Sequence, residues 1–106
     1  MFSSLSNMNG KMEPERLLAL EARDKVNIIL DVGGERFIAS RRIIERFPAS
    51  RLGRLVRAEN LRSILELCDE FTPGETPEYF FDRNPDNFPA ILNMYRTGVL
   101  CRFKHA

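Results

Sequence analysis

Histidine occurs once in this chain of 106 residues and cysteine twice. Neither charge is in excess, since 16 lysines and arginines face 15 aspartates and glutamates for a formal net charge of +1. That balance provides no whole-chain field to collect phosphate backbones or anionic lipid, which argues against nucleic acid as a partner. Long apolar runs are also missing. The longest aliphatic run, Leu17-Leu18-Ala19-Leu20, falls far short of the roughly 20 apolar residues that cross a bilayer. The first residues, Met1 to Lys11, are polar and lack the basic start, apolar stretch and small-residue cleavage site of a secretory leader. Without an export signal, Cys68 and Cys101 are read as free thiols in a reducing compartment. The lone His105 is the penultimate residue, where fraying removes the fixed geometry that a general base needs. A Ser-His-Asp arrangement is thereby excluded, and a cysteine nucleophile has no positioned activating group. The chain is expected not to be an enzyme.

At 43% hydrophobic and 29% charged residues, the composition suits one modest globular domain. Met1 to Gly10 has no periodicity, and residues 1–25 are expected to form a mobile tail ahead of a domain over residues 26–106. Glu13 to Lys25 is rich in helix formers and is compatible with a short helix or with none. Val26, Ile28, Leu30 and Val32 alternate, predicting a strand with one buried face. Gly33-Gly34 permits a tight reversal, and Glu35 to Ala39 returns as the second strand of a hairpin. Ser40 reads as an N-cap, with Ile43, Ile44 and Phe47 at helical spacing before Pro48 stops the run. Ser50 to Val56 offers another helical turn, facing Leu52, Leu55 and Val56 inward.

Leu61, Ile64, Leu65 and Leu67 fit a short helix or a buried strand, and Thr72 to Pro77 reads as a loop. Tyr79-Phe80-Phe81 is a strand core. Asn84 as N-cap and Pro85 at the first helical position start a helix carrying Phe88, Ile91, Leu92 and Tyr95 on one face, and Gly98 ends it. Val99 to Phe103 reads as a last strand. Strands interleaved with helices predict a mixed α/β (α+β) fold, a small sheet with short helices.

The order Val26-Asn27-Ile28-Ile29-Leu30-Asp31-Val32-Gly33-Gly34, Arg36-Phe37, Arg46-Phe47-Pro48 and Arg51-Leu52-Gly53-Arg54-Leu55 resembles the tetramerisation (T1) domain of voltage-gated potassium channel subunits. The resemblance continues through Phe80-Phe81-Asp82-Arg83 and Ile91-Leu92-Asn93-Met94-Tyr95-Arg96-Thr97-Gly98. Ile64-Leu65-Glu66-Leu67-Cys68-Asp69-Glu70 is similar to the Shab-type group, which includes electrically silent modifier subunits. The resemblance implies a BTB/POZ-like domain that assembles as a four-fold ring with identical or related subunits, on the cytoplasmic side of the plasma membrane. T1 domains continue beyond the last strand read here, so the chain is expected to hold the leading part of the module without its C-terminal helices. The rival reading is a soluble BTB adaptor of the potassium-channel-tetramerisation-domain type, which recruits a cullin ubiquitin ligase. Phe80-Phe81-Asp82-Arg83 with Tyr95-Arg96-Thr97-Gly98 favours the channel.

Adjacent opposite charges at a strand end are usually solvated, because exposed pairs contribute little. The resemblance moves Asp82 toward a subunit interface, with Arg83, Asn93 and Arg96 as further candidates; Arg96 also suits the negative end of its helix dipole. Gly33-Gly34 lacks the lysine and third glycine of phosphate-binding loops and is read as a turn. The arginines between Arg36 and Arg57 interleave with Glu35, Glu45 and Glu59, a mixed solvated surface.

In the T1 domains of Shab, Shaw and Shal type that the chain resembles, a zinc-binding His stands just after this helix and is followed by cysteines. Cys101 stands at that His position, and His105 follows it at a ligand-like spacing. Structural zinc normally takes four protein ligands, so no cofactor is expected unless the rest of the module supplies them. Purified protein is expected to carry no stoichiometric zinc by elemental analysis, and one zinc per chain would contradict this.

Overall fold

A two-residue turn organises the sheet. In the computed structural model, which describes residues 14–98, β1 (Asn27–Val32) and β2 (Glu35–Ser40) pair antiparallel with Val32 opposite Glu35. Gly33 and Gly34 form the loop at φ 60° and 100°, the positive values that a turn matching the strand twist demands. Asp31 Oδ1 accepts a hydrogen bond from the Gly34 N–H at 2.9 Å and braces the loop from within.

Downstream come α2 (Arg41–Glu45), α3 (Arg51–Arg57), α4 (Leu61–Leu65), β3 (Glu70–Thr72), β4 (Glu78–Phe81) and α5 (Phe88–Thr97), and α1 (Pro14–Arg23) precedes the sheet. The strands lie in the order β2-β1-β4-β3, with β1 and β4 parallel and the outer pairs antiparallel. The expected mixed α/β class is borne out.

One face of the sheet carries Ile28, Leu30, Val32, Ala39, Tyr79 and Phe81, all buried against the helices. Ile44, Leu52, Leu55, Val56, Ile64, Leu92 and Tyr95 complete that core. Helix α5 buries Phe88, Leu92 and Tyr95, the stripe its spacing predicted. The Phe37 and Phe88 rings meet at 4.9 Å, and Tyr95 meets Phe47 edge-on at 5.8 Å, which locks α5 to β2 and to the chain just after α2. Gly98, at φ 80°, stops the helix as read.

Several expectations are revised. Pro14–Arg23, placed within the tail and read as a short helix or none, is a helix whose Ala19 and Ala22 are buried and which packs on α3 and α4. Its leucines were too few to display a stripe, and alanine serves as the packing face. Val26 lies before the strand and is 76% exposed, although its carbonyl still accepts from the Arg41 N–H at 2.9 Å. Ser40 stands at the α2 N-cap without a capping side-chain bond, whereas Ser50 Oγ accepts from the Gly53 N–H at 3.0 Å and caps α3.

The ambiguous apolar segment contains helix α4, capped by Asn60 through a 2.9 Å bond from the Ser63 N–H. Thr72, read as loop, ends strand β3. Three residues are too few to show a period, and β3 exists through pairing with β4 and the 5.1 Å contact of Phe71 with Tyr79. Helix α5 is regular only from Phe88: Asn84 Oδ1 accepts from the Asp86 N–H at 2.8 Å, the bond expected of a cap, but the turn that follows is tighter, with the Phe88 N–H donating to the Pro85 carbonyl at 2.9 Å. The tail Met1 to Gly10 and the strand Val99 to Phe103 lie outside the described residues.

Gly53 in α3 is pressed against the Phe47 carbonyl, and a β-carbon there would overlap that oxygen. Gly53→Ala is therefore expected to destabilise the fold by about 1–3 kcal/mol, read by urea unfolding, despite alanine's better helix propensity. A stabilised variant would contradict the close approach.

Candidate functional site

Strand β4 ends at Phe81, whose carbonyl accepts two hydrogen bonds, from the Gly33 N–H at 2.9 Å and from the Arg83 N–H at 2.8 Å. The second bond closes a three-residue turn with Asp82 at its apex. Asp69, just before β3, grips the same turn from the other side. Its N–H donates to the Phe80 carbonyl at 2.8 Å, and its Oδ2 accepts from the Asp82 N–H at 2.8 Å. On the β1 side, a β-carbon at Gly33 would overlap the Arg83 carbonyl oxygen. The backbone of Asp82 and Arg83 is thus pinned between two neighbouring strands, while both side chains are exposed.

Asn93 and Arg96 lie one turn apart on α5, and both are exposed. Helical spacing sets Arg96 on one flank of the buried Phe88–Leu92–Tyr95 stripe and Ile91 on the other. Ile91 lines an apolar cleft of about 170 Å³ together with Leu52, Phe81 and Phe88, and the same cleft includes Arg51 and Arg83. The structure therefore brings Asp82 and Arg83 together at one place, and Asn93 and Arg96 at another across the helix. Among the described residues, no hydrogen bond or ion pair engages any of these four side chains. Arg96 sits in the last turn of α5, where its charge also complements the helix dipole.

Asp69 and the second role of Gly33 escaped the sequence reading. Both act on β4 from strands distant in sequence, and only the sheet pairing reveals them.

Cys68 is buried with its Sγ donating to the Glu70 carbonyl at 3.3 Å. Burial foremost, and then the charge of Asp69, push its thiol from 9.0 to about 11. Cys101 and His105 lie outside the described residues. Among the described residues, no cluster of three His, Cys, Asp or Glu could hold a metal ion, and no helix is long and apolar enough to cross a membrane.

A small mixed sheet roofed by short helices carries exposed polar side chains at the end of β4 and on α5. The chain belongs to the BTB/POZ domain family (BTB_2), whose pattern matches residues 28–106. It is 41% identical over 78 residues to the delayed-rectifier potassium channel regulatory subunit KCNS3 of Homo sapiens, covering 74% of this chain and 16% of that protein. Identity to KCNS2 of Mus musculus is 42% over 73 residues, covering 69% of this chain and 15% of that one. KCNS1 of Mus musculus is 42% identical over 71 residues, covering 67% and 14% respectively. The chain thus spans about one sixth of the length of these relatives, as the 16% coverage shows.

At pH 8 the folded protein should expose about a hundredfold less Cys68 thiolate than the unfolded chain, so site-resolved iodoacetamide labelling at Cys68 should slow accordingly. The raised thiol contributes stability in full below pH 9.0, and that contribution is lost as pH rises toward about 11. Equal labelling of the folded and unfolded forms would refute the buried placement.

Proposed function

We propose that this chain is a subunit-assembly domain of a voltage-gated potassium channel, acting by recognition of identical or related subunits. The observation that carries this reading is the Asp82–Arg83 turn. It is backbone-pinned, exposed and free of side-chain partners among the described residues, in a chain whose reported relatives are channel regulatory subunits. A rigid backbone holding unpaired charge suits contacts in which polar complementarity sets register and rejects mismatched partners.

Head-to-tail association joins two different surfaces of one molecule, and the two separated polar groups, Asp82 with Arg83 and Asn93 with Arg96, fit that requirement. We take the assembly to be a tetramer on the cytoplasmic face of the membrane. The regulatory relatives and the segment around Cys68 support a modifier subunit of the Shab-like group. No catalytic step and no cofactor enter this reading.

Light scattering on the full chain, alone and mixed with the assembly domain of a related channel subunit, tests the reading. A discrete oligomer is expected. Asp82→Ala should weaken it about tenfold, or 1.4 kcal/mol, while leaving thermal stability within about 0.5 kcal/mol of the parent. A monomer under both conditions, or capture of a cullin in place of channel domains, would overturn it.

A further inference from the structure

We propose that Asp69 is a positioning residue for assembly, holding Asp82 in the orientation that a neighbouring subunit reads. The inference rests on the assembly role above and extends it to a residue that need not itself touch the partner. The last described rung between β3 and β4 pairs Glu70 with Phe80. Beyond that rung the antiparallel ladder has no further backbone partner to offer the Asp82 N–H, and the Asp69 carboxylate takes the place of the missing carbonyl at 2.8 Å.

The same residue donates its own N–H to the Phe80 carbonyl at 2.8 Å. One aspartate therefore both closes the ladder and extends it by a side-chain rung. An ionised acceptor makes a shorter and stronger bond than a neutral one. On the far side, the Gly33 N–H shares the Phe81 carbonyl with Arg83. With both bonds in place the Asp82 backbone is restrained from two sides; with the Asp69 carboxylate gone, only the Gly33 side restrains it.

Asp69 lies in the segment between α4 and β4, far from Asp82 in sequence but adjacent across the sheet. Changes in that segment would reach the recognition surface through this bond. The Asp69 carboxylate, though exposed, is committed to a backbone donor and is not one of the free side chains that the partner meets.

Sedimentation equilibrium on the full chain tests this with Asp69→Ala, Asp69→Asn, Asp82→Ala and the Asp69→Ala/Asp82→Ala double variant. The Asp69→Asn change keeps an acceptor oxygen and loses only the charge, so that variant should associate within about threefold of the parent, whereas Asp69→Ala should associate about tenfold more weakly. The double variant should be no weaker than Asp82→Ala alone, because a positioning residue has nothing left to position. Amide exchange at Asp82 should accelerate in Asp69→Ala and stay slow in Asp69→Asn.

Additive losses in the double variant, or parental association by Asp69→Ala alongside a weakened Asp82→Ala, would overturn this inference and leave the assembly role standing. Asp69→Asn as weak as Asp69→Ala would also overturn it, since charge rather than the hydrogen bond would then be responsible. A monomeric parent that also ignores related channel domains would remove the assembly role and this inference together.

Discussion

One carbonyl oxygen, that of Phe81, ties the Asp82–Arg83 turn to the sheet. It accepts from Gly33 on the neighbouring parallel strand's turn and from Arg83 two residues on. The rest of the architecture serves that junction. Parallel pairing of β1 with β4 brings Val32 beside Phe81, so the hairpin turn that begins at Gly33 arrives at the end of β4. Only a glycine fits there, because the backbone needs a positive φ and the Arg83 carbonyl occupies the space of a β-carbon.

The core explains why the junction is rigid. Phe81 is buried on the helical side of the sheet while Asp82, next in the chain, is exposed to solvent, so the transition from core to surface takes place within one residue. Helix α5 is anchored by three buried side chains, two of them aromatic rings in contact with β2 or with the chain after α2. The polar groups on α5 and on the 82–83 turn are thereby held at a fixed separation. Fixed spacing between unpaired polar groups favours selective association, because a mismatched partner leaves charges desolvated without compensation.

Much of this was legible from residues alone, and what escaped shares a cause. The alternation of Ile28, Leu30 and Val32, the Gly33-Gly34 reversal and the Phe88–Leu92–Tyr95 stripe are local patterns with a period, and the fold follows them. Strand β3 and the Asp69 bond depend on pairing with β4, and no local period marks them. The regular part of α5 begins at Phe88 because the turn behind Asn84 is tighter than a helical one, and no local pattern tells the two apart. Asp82 and Arg83 were singled out by resemblance. The structure places them side by side and exposed, and sets Asn93 and Arg96 apart from them on α5.

The most direct check on the central claim, that the free carboxylate of Asp82 on its pinned backbone meets another subunit, is carbodiimide labelling read residue by residue as protein concentration rises. Protection of Asp82 in step with particle mass, with the exposed Glu35 beside the hairpin turn labelled throughout, is the predicted result. Unchanged labelling of Asp82 while the mass increases would place the contact elsewhere and contradict the account.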